Sequence, residues 1–212
     1  MRFAALLCAL TLASGAAAAH DGLVHATAEV ARGHGEISAK APAPPVLDGA
    51  AFPVQVRAEF DLIDQTGARR TQADYAGRSM LIFFGYANCP GICSVALPRL
   101  AAALDLLGDD ADQVAPLLIT VDPELDTPKT LSEQMPRIHP RLTGLTGSAD
   151  ALAAARQAFG VEAKLEFVDP EYGPIYAHGS FIYLIDGQGK LVSLLPPVLA
   201  PERMAEIIGE HI

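Results

Sequence analysis

Cys89 and Cys93 are the residues of this 212-residue chain whose types and spacing most directly indicate chemistry. They follow an apolar run at residues 79–85, and an Ala/Leu-rich segment begins directly after them. This order predicts a buried strand, a loop and a helix, so the two thiols lie where strand becomes helix. Pro90, which lacks an N–H group, suits the first position of that helix.

The four-residue spacing restricts what the two thiols can do together. On one helical turn both side chains share a face, close enough to form a disulfide or to bind one ion. A helix N-terminus favours thiolate over thiol, and thiolates prefer Cu(I), zinc or iron–sulfur centres to magnesium or calcium. A purely structural disulfide is less favoured, because a bridge that closes so short a loop restrains the unfolded chain little.

The composition argues against nucleic-acid binding and against a membrane-spanning protein. The formal net charge is −10 and the pI is near 4.9, and the sequence has no Lys/Arg cluster of the kind that binds nucleic-acid phosphates. Half of the residues are hydrophobic, which is typical of a globular protein. No apolar stretch approaches the roughly 20 residues that a membrane span requires.

Residues 1–19 have the features of an export signal. A short basic start is followed by an apolar segment and by small residues suited to cleavage near Ala19, which removes Cys8. We therefore expect a periplasmic protein without a stable membrane span, whose mature form keeps two cysteines.

Residues 20–45 are expected to form a flexible linker ahead of one domain at residues 46–212. The linker contains His20, His25 and His34 without hydrophobic periodicity, and it ends in a proline-rich stretch. Three histidines beside acidic residues could hold copper or nickel loosely, but a solvated tail is the favoured interpretation.

The domain alternates strands and helices, which predicts an α/β fold with a central mixed sheet flanked by helices. Antiparallel strand pairs are expected at its two ends: residues 58–64 with 69–71, and residues 180–185 with 190–195. Helices are expected at four places: after Cys93, after Thr127, after Ser148 and from Pro201. Residues 169–179, rich in Pro, Gly and Tyr, are predicted to be a loop.

His178 is a third potential ligand beside the reactive cysteine pair, and it leads to the hypothesis of a metal site. In a thioredoxin-type arrangement, the loop that contains His178 faces the start of the cysteine-bearing helix. Asp122 falls at the same sheet edge, but capping its own loop explains it equally well, so it is not expected to be a ligand. Tyr86 and Phe84 are expected to pack around the site, and His139 is expected at the surface.

Four segments, residues 84–93, 120–128, 145–147 and 178–186, together resemble the Sco/SenC proteins. They contain, in this order, Cys-x-x-x-Cys, Val-Asp-Pro-x-x-Asp-Thr-Pro, Leu-Thr-Gly, and a histidine ahead of a Tyr-Leu block. The order of the motifs makes the resemblance specific, and it extends over the domain from Ala58 onward.

The resemblance implies a thioredoxin-like fold that holds one copper ion, as Cu(I) or Cu(II), through Cys89, Cys93 and His178. It also implies assembly of the dinuclear CuA centre of cytochrome c oxidase. Copper would pass from a periplasmic donor to subunit II of the oxidase or to another copper-receiving protein. On this interpretation the protein is a metallochaperone rather than an enzyme.

Two positions depart from the family pattern. Gly91 stands where the family usually has an aspartate between the cysteines, and Ala177 stands where an aspartate often precedes the histidine. Carboxylates near a metal orient its ligands and tune its charge, so we expect their absence to alter copper affinity or redox poise.

The alternative function is that of a thiol–disulfide oxidoreductase. Cys89 and Cys93 would then be a redox pair that reduces cysteines of the CuA subunit or of other exported proteins. Thioredoxin-type reductases generally have two residues between the cysteines and a cis-proline in the facing loop. Here three residues intervene and residues 176–179 occupy that loop, which favours the copper hypothesis.

Overall fold

The computed structural model describes residues 56–212. The expected export signal at residues 1–19 and the linker at residues 20–45, with its three histidines, lie outside the described residues, as does the predicted start of the domain at residue 46. The described residues form a seven-stranded mixed sheet flanked by helices and a separate two-stranded sheet. The predicted α/β class is confirmed.

Nine strands form the two sheets: β1 (Asp61–Asp64), β2 (Arg69–Thr71), β3 (Ser79–Gly85), β4 (Val114–Thr120), β5 (Thr143–Thr146), β6 (Ala163–Asp169), β7 (Gly173–His178), β8 (Ile182–Ile185) and β9 (Leu191–Leu195). The main sheet has the order β2-β1-β5-β4-β3-β8-β9. Its central strands β5, β4 and β3 are parallel, and the pairs β1–β2 and β8–β9 add antiparallel strands at its two ends, as predicted.

The central strands bring two loops to one edge of the sheet. β3 and β4 are buried along their whole length, which explains why both are continuous apolar runs rather than alternating ones. Their parallel register pairs Gly85 with Thr120, the last residue of each strand. The cysteine loop that follows β3 therefore lies beside the loop of residues 121–127 that follows β4.

Four helices cover the sheet: α1 (Cys93–Leu107), α2 (Pro128–Ile138), α3 (Ala149–Phe159) and α4 (Pro201–Gly209). Thr127 and Ser148 cap α2 and α3 as predicted. Each hydroxyl accepts a hydrogen bond, at 3.2 Å, from the backbone N–H of the residue three positions later in the chain. α3 ends at Phe159 and is followed by Gly160, whose φ of 66° is left-handed and suits glycine.

The start of α1 differs from the prediction. The helix begins at Cys93, after Ile92, and not at Pro90. Residues 86–92 form turns, in which the amide of Cys89 donates a hydrogen bond to the carbonyl of Tyr86 at 3.3 Å. The two cysteines therefore do not share a helical turn: Cys89 lies in the loop and Cys93 opens the helix.

The predicted loop at residues 169–179 is wrong for most of its length. Residues Gly173–His178 form β7, which pairs antiparallel with β6 from Ala163 opposite His178 to Asp169 opposite Gly173. Gly and Pro at the start of a strand do not prevent pairing at the edge of a sheet, because an edge strand forms backbone hydrogen bonds with one neighbouring strand only. His178 consequently sits at the end of a paired strand.

His139 was predicted at the surface, and this prediction is also wrong. The residue is 7% exposed. Its Nδ1 accepts the amide N–H of Arg141 at 3.2 Å, and its Nε2 lies 3.4 Å from a carboxylate oxygen of Asp105. Both ring nitrogens have partners, which makes burial of the imidazole tolerable.

The N-terminal strand pair depends on the buried carboxylate of Asp64, which is 3% exposed. It accepts hydrogen bonds from the amide and hydroxyl of Thr66, from the amide of Ala68 and from Arg70 Nε at 2.7 Å. Burial alone would raise the pKa of Asp64, but these donors outweigh burial and hold its pKa below the ordinary value. The folded state thus favours the charged carboxylate.

We expect Asp64→Asn to lower the free energy of unfolding by about 1–3 kcal/mol near neutral pH, because hydrogen bonds to a charged acceptor are lost. A depressed carboxylate pKa stabilises the fold above the unfolded-state pKa of about 4 and ceases to do so as pH falls through the lower folded-state value. Urea denaturation at a series of pH values should therefore show that the free energies of unfolding of parent and variant converge below about pH 4.

The control for this experiment is Asp61→Asn. Asp61 pairs with Arg69 at 2.6 Å, but both side chains are more than half exposed, so we expect only a small effect. If Asp64→Asn and its parent differed by a constant free energy of unfolding down to pH values well below 4, this account of Asp64 would be contradicted.

Within residues 56–212, no helix combines the length and the apolar character that crossing a bilayer requires.

Candidate metal centre

Three separate segments supply the side chains of the candidate site. Cys89 comes from the loop after β3, Cys93 is the first residue of α1, and His178 is the last residue of β7. Their potential ligand atoms, the two sulfurs and a ring nitrogen, all lie within 4.8 Å of one another. Among residues 56–212, this is the one group of three or more Cys, His, Asp or Glu side chains close enough to share a metal ion.

The imidazole of His178 is oriented by a backbone contact. Its Nδ1 lies 3.0 Å from the carbonyl oxygen of Gly179, and its Nε2 lies 3.8 Å from the sulfur of Cys93. A carbonyl oxygen can only accept, so Nδ1 carries the proton of the neutral ring and Nε2 presents its lone pair to the sulfurs. A backbone acceptor on the distal nitrogen is the usual arrangement for a metal-binding histidine.

Aromatic rings pack around His178. Phe83 and Tyr86 each lie edge-on to the imidazole, with ring centroids 6.1 Å away, and Tyr86 also contacts Tyr176 at 5.5 Å. Tyr86 thus packs around the site as predicted. The prediction for Phe84 is wrong, because Phe84 contacts Phe159 of α3 at 5.4 Å.

Gly85 allows α1 to approach the end of β3. A Cβ atom at this position would lie 2.8 Å from Cε1 of Phe83 and 3.0 Å from the sulfur of Cys93. Phe83 and Cys93 are both buried, so neither can move away freely. The glycine therefore leaves the space that the Cys93 sulfur occupies.

Hydrogen bonds on two sides fix the cysteine loop. The buried carboxylate of Asp126 accepts the amide N–H of Ala87 at 3.0 Å and the hydroxyl of Thr120 at 2.6 Å. Burial raises the pKa of Asp126, although these donors oppose the shift. On the other side, the side-chain amide of Asn88 donates to the carbonyl of Tyr172 at 3.0 Å, which ties the loop to the turn between β6 and β7.

The two thiols are strongly unequal in acidity. A hydrogen bond from the Cys93 thiol lowers the pKa of Cys89 to about 4; His178 and the amides of Cys93 and Gly91 support the shift, while burial opposes it. The pKa of Cys93 is raised because its proton is shared with the neighbouring thiolate and because it is buried. Without a metal, the pair holds one proton, and binding an ion through both sulfurs must release it.

His178 responds to the same thiolate. Burial opposes protonation of the ring, but the Cys89 sulfur and the Gly179 carbonyl outweigh burial and raise the pKa of His178. Burial and the nearby Cys89 charge raise the pKa of Tyr86. The site therefore combines one anionic sulfur, one protonated sulfur and one imidazole in a largely buried setting.

Asp122 is not part of the group formed by Cys89, Cys93 and His178. The residue is 1% exposed; one carboxylate oxygen accepts the amide of Leu125 at 3.4 Å, in agreement with the predicted capping of its own loop. Its other oxygen, Oδ2, lacks a hydrogen-bond partner within the described residues, and burial raises the pKa of Asp122.

Only one of the two positions that depart from the family pattern lies beside a sulfur. A Cβ at Gly91 would be 3.8 Å from the Cys89 sulfur. Ala177 is exposed and lies between Tyr176 and His178, so the alternation along β7 directs it away from their face. A carboxylate would therefore affect the site directly from position 91 and not from position 177.

The donor set fits copper. Thiolate sulfur and imidazole nitrogen are soft or borderline ligands that suit Cu(I) and also accommodate Cu(II), while a magnesium or calcium site would need oxygen donors. The sequence profile described as SCO1/SenC matches residues 48–212. The chain belongs to the SCO1/SenC family.

Relatives and solved structures agree with this family membership. The zebrafish (Danio rerio) mitochondrial SCO2 homolog is 36% identical over 156 residues, which is 73% of this chain and 56% of the zebrafish protein. The matched part is thus little more than half of that relative.

Two of the solved structures similar to this chain are copper-bound members of the family. Bradyrhizobium japonicum ScoI with copper bound has a TM-score of 0.68 and 33% identity, over 74% of this chain and 99% of that one. Yeast Sco1 with copper bound has a TM-score of 0.68 and 31% identity, over 74% of this chain and 88% of that one. These neighbours confirm the predicted thioredoxin-like Sco fold for the described residues.

Several residues that shape the site were not identified from sequence. Phe83 and Gly85 share a face of β3 because they are two residues apart, and this alternation could have identified both. Asp126 stands in the quoted Val-Asp-Pro-x-x-Asp-Thr-Pro motif but was not assigned a role. Asn88 and Tyr172 had no recognisable signal, because their contact joins positions 84 residues apart in the chain.

Proposed function

We propose that this protein binds one copper ion through Cys89, Cys93 and His178 and delivers it to the CuA site of cytochrome c oxidase. The observation that supports this most strongly is the convergence of three donor atoms from three segments within 4.8 Å. Copper is the metal that both the donor set and the copper-bound family structures favour.

The exposure of the site suits a carrier better than a permanent store. Cys93 is buried, but Cys89 is only partly buried, and Gly91 and Asn88 beside it are exposed. Copper is here the cargo: a thiolate of the acceptor can bind the ion from the Cys89 side as a bond to the carrier breaks.

We propose that this exchange takes place in the periplasm, after export directed by residues 1–19. The partners are an upstream copper donor and, as acceptor, subunit II of the oxidase. The two copper-bound neighbours support copper handling, and the choice of acceptor rests on the Sco/SenC resemblance.

Copper transfer to the soluble CuA domain of subunit II tests this proposal. The mature protein, loaded as a mixture of its Cu(I) and Cu(II) forms so that the mixed-valence dinuclear centre can form, is mixed with the copper-free domain from the same organism, and the visible absorption of CuA is followed. We expect the CuA spectrum to appear with the carrier and not with Cys93→Ser. Copper that stays on the carrier, with an acceptor that free copper can still fill, would overturn delivery.

A thiol–disulfide oxidoreductase is the second candidate, favoured by the Cys89 pKa of about 4 beside a second thiol. In that reaction two thiols of this protein become a disulfide while a disulfide of the substrate becomes two thiols. Insulin reduction at a rate comparable to that of a thioredoxin would favour this function over copper delivery.

A further inference from the structure

The β6–β7 hairpin carries a concentration of exposed apolar side chains next to the candidate site. Leu165, Phe167, Val168 and Tyr172 are 47%, 57%, 65% and 41% exposed. We call these four residues the hairpin patch. Leu125, 45% exposed, extends the patch, since its Cδ1 would lie 3.7 Å from a Cβ at Gly173 at the start of β7. Clustered exposed apolar groups, unlike scattered ones, indicate an interaction surface.

The hairpin does not extend the main sheet. β6 and β7 form their own two-stranded sheet, and residues 164–168 of β6 are all exposed. Leu165 and Val168 pair with Tyr176 and Pro174, while Phe167 pairs with Ile175 across a bulge. Neighbouring positions on β7 face opposite ways, so apolar side chains flank both faces of β6. A matching partner must therefore offer a cleft and not a flat surface.

The hairpin is connected directly to the candidate metal ligands. His178 is the last residue of β7, and Asn88, next to Cys89, donates its hydrogen bond to the carbonyl of Tyr172 in the turn. A protein that binds the hairpin patch therefore lies beside the partly exposed side chain of Cys89. Such a position is what ligand exchange between two proteins requires.

The charges around the hairpin patch indicate which kind of protein surface can bind to it. Glu162, Glu166, Asp169 and Glu171 lie along the hairpin with a single basic residue, Lys164, which is paired with Glu166 at 3.3 Å. A second copy of this chain, with a formal net charge of −10, would bring like charges together. Residues 20–55 of the same chain contain four acidic and two basic residues, so they do not supply the missing positive charge either.

We propose that the hairpin patch docks the copper acceptor, through an acceptor cleft that is apolar inside and lined at its rim by Lys and Arg. This proposal rests on the proposed function, because it names the surface on which the acceptor is held during transfer. Apolar contacts in the cleft provide affinity, and the opposite charges of the two rims accelerate the encounter.

The test compares Phe167→Ser/Val168→Ser with the parent protein and with the control Leu106→Ser. Leu106, 56% exposed, lies near the C-terminal end of α1, whereas Cys93 begins that helix. The probe is the copper-free CuA domain. We expect the hairpin variant to bind this domain, and to pass copper to it, about tenfold more weakly and slowly. Copper affinity and melting temperature should match the parent, and Leu106→Ser should behave as the parent.

A charge variant provides an independent measurement. Glu166→Lys/Glu171→Lys should lower the association rate at low salt and reduce its dependence on ionic strength. Transfer by the Phe167→Ser/Val168→Ser variant at the parental rate would overturn the docking proposal alone. A parent that binds copper but passes none to the domain would overturn delivery and docking together. A parent that dimerises through the patch would show that a second copy occupies it, which also overturns the proposal.

Discussion

Cys93→Ser is expected to bind Cu(I) at least about 100-fold more weakly than the parent, and to lose the thiolate-to-copper absorption that the parent shows with Cu(II). Loss of a residue that merely orients a ligand costs about 10–100-fold in metal affinity, and removal of a thiolate ligand should cost more. Serine is nearly isosteric with cysteine but is a hard donor that does not ionise at neutral pH. Competition titration with a Cu(I) chelator measures the difference.

His211→Ala serves as the control for adventitious binding in this titration. The backbone carbonyl of His211 accepts a hydrogen bond from Ser79, at the opposite end of β3 from Gly85. We expect its Cu(I) affinity to equal that of the parent. If Cys93→Ser retained parental affinity while remaining folded, the proposed ligand set would be wrong.

Gly85→Ala is expected to reduce both stability and copper affinity. The new methyl group would stand 2.8 Å from Phe83 Cε1 and 3.0 Å from the Cys93 sulfur, and both neighbours are buried. Overpacking of this kind typically costs about 1–3 kcal/mol of unfolding free energy. Because relief requires the Cys93 sulfur to move, we also expect about a tenfold loss of Cu(I) affinity.

The matched control is Gly91→Ala, in the loop that follows β3. A Cβ at Gly91 meets only the Cys89 sulfur, at an ordinary contact distance of 3.8 Å. Urea denaturation and Cu(I) competition should both give values close to the parent for this variant. A Gly85→Ala protein that binds copper as tightly as Gly91→Ala would show that the Cys93 sulfur is not confined as described.

Much of the fold could be predicted because its signals are local. The buried strands β3 and β4 are unbroken apolar runs, and Thr127 and Ser148 mark the starts of two helices through their own hydroxyl groups. The strand β7 gave no such signal, since Gly173 and Pro174 usually indicate a loop. It forms because β6 pairs with it, and this partner is not visible from β7 itself.

The site was predictable in its residue types and not in its geometry. The spacing of Cys89 and Cys93 suggested a shared helical turn, but α1 begins only at Cys93, and the loop brings the sulfurs together. The approach of His178 depends on the whole hairpin, so residue order alone could not establish it. The supporting contacts of Asp126 and Gly85 likewise depend on which strands and helices become neighbours.

X-ray absorption spectroscopy at the copper edge of the Cu(I)-loaded mature protein tests the central claim most directly. The account predicts two sulfur ligands and one imidazole nitrogen, with the nitrogen contribution lost in His178→Ala. A spectrum with sulfur ligands only, unchanged by His178→Ala, would contradict the three-residue site.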